Sequence, residues 1–225
     1  MKITIIAASG GVGRQLLTQS LAAGHDVTAV VRNPAKLDVA GLAGLRVVTA
    51  DLAAPDPRVL ESAVHGADAV LSCLGPHNNA SAGIAAPGTR AIVTAMRAAG
   101  VRRIVAISAS PVATTASPGR PAPPRHDPGD GFFMRYLGMT FAKTMFGKVY
   151  ADLALMEDVL RESGLDWTAL RPPNLSNKPL TGRYRTAYGR NLRGGFTIPR
   201  ADVAHCMLAV LGQPETIGKV MGIAT

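Results

Sequence analysis

The sequence is poor in aromatic residues, in acids and in cysteine. Phe, Trp and Tyr make up 4% of its 225 residues, with a single tryptophan. So few rings leave few platforms on which nucleic-acid bases can stack. Fifteen Asp and Glu stand against 24 Lys and Arg, a formal charge of +9. A chain this basic has to be weighed as a nucleic-acid binder. Its basic residues form no single dense block, however. Arg90, Arg97, Arg102, Arg103, Arg120 and Arg125 are scattered, and a denser set stands at Arg183, Arg185, Arg190 and Arg193. The expectation is no nucleic-acid partner, with the charge serving solubility and the attraction of an anionic cofactor or substrate. Cys73 and Cys206 are too few and too far apart for a disulfide framework or a metal centre. Both lie in apolar segments and read as buried free thiols. No apolar run approaches the length that spans a bilayer. The first strand pattern begins at Lys2, which leaves no room for a targeting signal before it. These features together predict a cytoplasmic protein without a membrane partner.

What is present is a repeated alternation of strand and helix patterns, with 47% hydrophobic residues to support one substantial core. Lys2 to Ile6 reads as a buried strand and is followed by Ala7-Ala8-Ser9-Gly10-Gly11-Val12-Gly13. The glycine spacing is Ala7-x-x-Gly10-x-x-Gly13, with Ala at the first position. Leu16, Leu17, Leu21 and Ala22 then recur at helical spacing up to Gly24, and Val27 to Val31 reads as a second strand. A strand, a glycine turn, a helix and a strand in this order form a dinucleotide-binding βαβ unit. Its turn lets backbone N–H groups approach a pyrophosphate, and its helix directs a positive dipole end at it.

The second strand ends in Arg32-Asn33-Pro34. An NAD site usually places Asp or Glu there, on the ribose 2′-hydroxyl. Arg32 suits a 2′-phosphate instead, since a guanidinium can pair with two oxygens at once. Arg14 can add charge beside the turn. This points to NADP(H), and the bland alternative is a solvated loop charge.

Further strands are expected at 46–50, 69–72, 103–108 and 165–170, and helices at 59–64, 88–99, 150–163 and 201–211. The order predicts an α/β fold: a Rossmann-like, doubly wound parallel sheet with a small C-terminal substrate-side region. No composition shift marks a second domain, so residues 1–225 read as one. Residues 110–130 hold six prolines, too dense for a regular element. That stretch reads either as a functional flap or as a surface excursion. Residues 131–146 gather Phe and Met. They suit a lid over an aromatic substrate, a packed helical hairpin or an interfacial patch. Residues 110–148 together are taken as a flap or lid insertion.

Ala8 to Gly13, Arg32, Asp51, the run from Val159 to Thr168, Arg171-Pro172-Pro173 and Pro179-Leu180-Thr181-Gly182 resemble the atypical short-chain dehydrogenases of NmrA-like fold. Within these the sequence is most similar to the biliverdin-IXβ reductase/flavin reductase group. The resemblance covers nearly the whole chain and is weakest over 111–148. It implies NADP(H) along the carboxyl edge of the sheet. Ala8, Ser9, Gly10, Gly11, Val12 and Gly13 would form the pyrophosphate turn, and Arg32 would meet the 2′-phosphate. Asp51 and Leu52 would contact adenine, and Cys73, Leu74 and Gly75 the ribose. Ser108 would sit near the nicotinamide, with Pro172, Pro173 and Asn174 bordering its other side.

The sequence departs from the wider family in one respect that bears on chemistry. Short-chain dehydrogenases use a Tyr-x-x-x-Lys pair for acid/base work. Here Tyr136, Tyr150, Tyr184 and Tyr188 are followed four residues later by Thr140, Ala154, Tyr188 and Leu192. Flavin reductases lack the pair as well. The biliverdin-reducing relatives place His after the Pro-Pro, where this chain has Asn174. The expected activity is NADPH-dependent hydride transfer to a flat conjugated acceptor, a flavin or quinone, with the proton from solvent. Ser108 and Tyr150 are the candidate catalytic residues, against readings as a turn-capping serine and a packed tyrosine. The alternative function is a non-catalytic NADP(H)-binding redox sensor. His77 reads as a loop residue and His205 as structural. The expected assembly is a monomer or small homo-oligomer.

Overall fold

Apolar runs alternate with amphipathic segments along the chain, and they assemble into a sheet covered on both faces. The computed structural model describes residues 1–37, 43–76, 78–131 and 139–225. The strands are β1 (Lys2–Ile6), β2 (Asp26–Val31), β3 (Leu45–Thr49), β4 (Ala69–Ser72), β5 (Arg103–Ile107), β6 (Asp166–Arg171), β7 (Asn174–Ser176), β8 (Arg185–Tyr188), β9 (Thr197–Pro199) and β10 (Lys219–Ala224). The helices are α1 (Gly11–Ala22), α2 (Pro57–Val64), α3 (Ala85–Ala98), α4 (Met139–Arg161) and α5 (Arg200–Ala209). Eight strands form one sheet in the order β3-β2-β1-β4-β5-β6-β10-β8, and β7 pairs with β9 separately. Strand order reverses between β1 and β4, where Ile5 pairs with Ala29 on one side and Leu71 on the other. In open α/β sheets such a reversal opens a ligand crevice at the carboxyl ends of the strands.

Two apolar cores follow from the two faces. Leu60, Ile92, Met96, Met156 and Leu160 fill the side covered by α2, α3 and α4. Leu16, Leu17, Val203, Ala204 and Met207 fill the side of α1 and α5. The doubly wound reading holds, with one correction. The sheet is not purely parallel, because β8 runs antiparallel to β10.

Residues 110–130 also differ from expectation. Ser110–Thr114 forms a buried 3₁₀ turn with Pro111 in its first turn, where a missing N–H costs nothing. Arg120 binds the carbonyls of Val112, Ala113 and Thr115. Gly119 N–H donates to Asp158 at 2.9 Å. This proline-rich stretch is therefore docked on α4 through defined contacts. Residues 132–138 of the Phe/Met stretch, and His77, lie outside the described residues. The helix expected at 150–163 is the second part of α4, which breaks at Phe146 (φ −131°, ψ 27°). None of the described helices is long and apolar enough to cross a membrane.

Candidate functional site

The glycine turn is shaped by contacts that exclude side chains. Gly10 N–H donates to the Ala7 carbonyl at 3.0 Å, which closes the turn. Ala7 sits at φ +58°, the only left-handed non-glycine among the described residues. A Cβ on Gly13 would lie 2.5 Å from the Ala7 oxygen and 2.8 Å from Ala8 Cα. Both neighbours are backbone, so α1 can pack this close to β1 only with glycine there. Gly10 caps α1 without any side-chain hydrogen bond, and the first turn carries no acid. Its first amides are therefore left for an anion.

This turn opens onto a groove of about 380 Å³ at the carboxyl edge of the sheet. Ser9, Gly10 and Gly11 line one part of it, and Arg32, Asp51 and Leu52 another. Cys73, Leu74 and Gly75 continue the wall across the β1–β4 reversal. Nine residues named from the sequence thus meet in one place. A second depression of similar size lies at the amino edge, around Lys2, Asp26, Arg46 and His65. Gly44 and Gly66 line it in isolated turns, but among the described residues no helix N-terminus points into it.

The sequence reading missed several residues of the groove. Ala7 lines it, with Asn33, Lys36, Ser81 and Ile84. Arg14 does not offer its charge freely. Its Nε donates to the Ser9 carbonyl at 3.0 Å and its Nη2 to the Lys36 carbonyl at 2.8 Å, which ties the glycine turn to the loop after β2. Among the described residues no hydrogen bond or ion pair engages the exposed Arg32 side chain, so it stands at the groove as an uncommitted cation.

Other named residues lie around the groove rather than in its lining. Ala8 is buried and its N–H donates to the Val30 carbonyl. Val12 and Gly13 pack behind the turn and can offer only backbone N–H groups. Pro172 is buried, and its carbonyl accepts from Ser110 N–H at 2.9 Å. Pro173 lines a separate small cavity, and exposed Asn174 begins β7. Burial pushes the half-buried Cys73 thiol up to about 12, so it stays protonated and inert at neutral pH.

Ser108 is only 4% exposed, and its hydroxyl donates to Glu157 at 2.7 Å. Its one proton is committed there, while its oxygen can still accept. Glu157 is fully buried and also takes two bonds from Arg171 and one from Arg161. Tyr150 is half-buried against the α2–α4 core, with its ring edge-on to Phe146. Burial raises its phenol, which makes it a holder of a proton at neutral pH and not a base.

Residues 7–214 match the family described as NAD(P)H-binding. The chain belongs to this family. The NAD(P)H-binding assignment agrees with the groove, the glycine cradle and the uncapped helix. A relative from Bacillus subtilis (strain 168), named uncharacterized sugar epimerase YhfK, is 28% identical over 223 residues, which cover 96% of this chain and 90% of that protein. Among solved structures, ChuY of Escherichia coli O157:H7, described as an anaerobillin reductase, superposes with a TM-score of 0.76 at 24% identity. That match covers 100% of this chain and 97% of ChuY. A short-chain dehydrogenase/reductase of Veillonella parvula in complex with NADP gives a TM-score of 0.76 at 19% identity, over 100% of this chain and 94% of that one. These two likenesses establish a shared fold.

Proposed function

We propose that this NAD(P)H-binding protein is an NADPH-dependent reductase that delivers hydride to a flat conjugated acceptor, a flavin or a quinone. The observation that carries the reading is the uncommitted Arg32 guanidinium in the groove, on a strand end that holds no acid. The residues fit the cofactor: glycines that admit no Cβ, free first-turn amides and a cation for the 2′-phosphate. Ser9, Gly10 and Gly11 would hold the pyrophosphate, Arg32 the 2′-phosphate, and Asp51 and Leu52 the adenine side. The bound dinucleotide supplies the hydride, and the protein supplies binding and orientation. Ser108, held by Glu157, would accept a hydrogen bond from the nicotinamide side, and Tyr150 remains a candidate donor. Placement in the biliverdin-IXβ/flavin reductase group of NmrA-like proteins is part of this proposal. The reductase described for ChuY is consistent with it.

Sugar epimerase chemistry, suggested by the name of YhfK, needs an acid and a base at a sugar carbon. No tyrosine of this sequence has a lysine four residues on. The same lack favours a second reading, a redox sensor that binds NADP(H) without turnover. The test is NADPH oxidation with FMN, menadione and a set of aldehydes and ketones. Turnover with FMN or menadione is expected. Tight NADPH binding with no turnover on any of them would leave the sensor.

A further inference from the structure

A reductase without a Tyr-Lys pair still has to deliver a proton, and the carboxyl edge of the sheet holds an acid in unusual surroundings. Asp130 and Asn191 line a cavity of about 20 Å³ together with Ser110, Arg171 and Pro173, where β5, β6 and β10 end. The Asn191 amide N–H₂ donates to Asp130 Oδ1 at 2.9 Å and to the Ser110 carbonyl at 3.3 Å. Among the described residues, the remaining oxygens of the pair, Asp130 Oδ2 and Asn191 Oδ1, are buried and have no hydrogen-bond partner. Asn191 itself is 7% exposed. Two buried acceptors on one hydrogen-bonded pair, neither with a donor, are expensive. A proton on Asp130 would supply the missing donor, because a carboxylic acid and an amide can complement each other with one donor and one acceptor each.

The backbone fixes this pair in place. A Cβ on Gly129 would lie 1.8 Å from the Asn191 backbone carbonyl oxygen, and one on Gly222 would lie 2.2 Å from the Arg190 backbone carbonyl oxygen. The backbone of residues 190–191 is therefore clamped between two glycines. Asp127 completes the clamp by accepting from Gly129 N–H and Asn191 N–H, each at 2.8 Å. The groups around the Asp130 carboxyl are thus Asp127 and His126 on its own segment, Asn191 opposite it and Arg171 across the cavity. Arg193 follows on the Asn191 segment, with its Cγ near Gly131. Burial raises the Asp130 carboxyl and the Asp127 charge adds to that, while the Asn191 bond, a backbone hydrogen bond at Asp127 and His126 work the other way.

We propose that Asp130 is the acid of this site, resting in its protonated form against Asn191 and giving its proton to the acceptor as hydride arrives. This rests on the reductase reading above. The sum is quinone plus hydride plus one proton to hydroquinone. The O–H bond of Asp130 breaks, an O–H bond forms on the acceptor, and the carboxylate left behind regains a proton from solvent. The cavity is far too small for the acceptor itself, so Asp130 meets only an edge atom of it.

Asp130→Asn is the informative variant, since its amide can still donate to Asn191 but cannot release a proton at neutral pH. The carboxyl carbon of Asp130, followed by NMR against pH in the free protein, should report a protonated acid still present at neutral pH, against an ordinary value of about 3.9. The variant should keep its thermal midpoint and NADPH affinity, and should reduce menadione about 100-fold more slowly. The wild-type rate should fall on the alkaline side of a pH profile, and that limb should vanish in the variant. An Asp130 carboxyl that titrates at the ordinary value, or a variant with the wild-type rate and profile, overturns the acid while leaving the reductase intact. Failure of the wild type to oxidise NADPH with either menadione or FMN overturns the reductase reading, and the role of the acid with it.

Discussion

Glu157 on α4 receives both Nε and Nη2 of Arg171, at 2.7 and 2.6 Å, with the two side chains 0 and 3% exposed. This buried pair locks the end of β6, where the chain turns through Pro172 and Pro173, to the hydroxyl of Ser108 at the end of β5. Two charges removed from water are stable only while both are present. Glu157→Gln should therefore lower unfolding stability by about 3–5 kcal/mol. The double variant Glu157→Gln/Arg171→Met should recover part of that loss. Urea unfolding of the four proteins measures it, and a single-variant loss under about 1 kcal/mol would contradict the coupling.

The two ends of the glycine turn should respond in opposite ways. Gly13→Ala places a methyl group 2.5 Å from the Ala7 oxygen. The contact can be relieved only by moving α1 off β1, so the expected cost is about 1–3 kcal/mol together with loss of dinucleotide binding. Ala7→Gly relieves a left-handed alanine worth roughly 1–2 kcal/mol. It also returns about 0.5–1 kcal/mol of chain entropy to the unfolded state. Ala7→Gly should thus leave stability unchanged or slightly raised, with binding retained. Thermal unfolding and NADPH titration of both variants check this asymmetry, and equal losses would show that the turn is not held by this contact.

Asp152 on α4 caps a different helix. Its carboxylate accepts from Gly83, Ala85 and Ala86 N–H at 2.8, 2.9 and 3.0 Å, which are donors at the start of α3. Asp152→Ala should cost about 2 kcal/mol, at the upper end for a lost cap because three donors, two of them buried, lose their acceptor. Hydrogen exchange should speed up first at Ala85 and Ala86. Unchanged protection there would mean that the cap contributes nothing.

That cap also explains where the sequence was hard to read. The pattern predicts α3 from Gly88, and the helix starts three residues earlier because its cap lies about 67 residues downstream. The polar face expected for the helix at 150–163 is another case. Asp152 and Asp158 look solvated when only i, i+3 and i+4 neighbours are counted, yet both are buried on partners far away in the chain. Strands β7, β8 and β9 are only 3, 4 and 3 residues long, and they and the 6-residue β10 pair only across long separations, so alternation alone gives little signal for them. By contrast, the β1–α1–β2 unit with Ser9, Gly10, Gly11 and Arg32 was legible, because a glycine turn, a 3.6-residue period and a strand-end arginine are local features, whereas Asp51, Leu52, Cys73, Leu74 and Gly75 came from the family resemblance. Asp130 and Asn191 were not, since what distinguishes them is the absence of a donor, a property of three-dimensional packing.

In the proposed reading, Arg32 sets the choice between the two nicotinamide cofactors. Its side chain reaches the groove without a partner among the described residues, and Lys36 lines the same wall. A guanidinium that pairs with a 2′-phosphate makes charge-assisted hydrogen bonds worth about 1.5–3 kcal/mol, roughly a 10- to 150-fold change in affinity. NADH carries a hydroxyl there and has little to lose. Arg32→Ala should therefore weaken NADPH binding by about that factor and leave NADH within about twofold, while Arg32→Lys should fall between, since an ammonium supplies charge without the fork. Calorimetric titration of both cofactors into the three proteins gives the comparison. Equal weakening of NADPH and NADH would place Arg32 away from the 2′-position and remove the argument for NADPH.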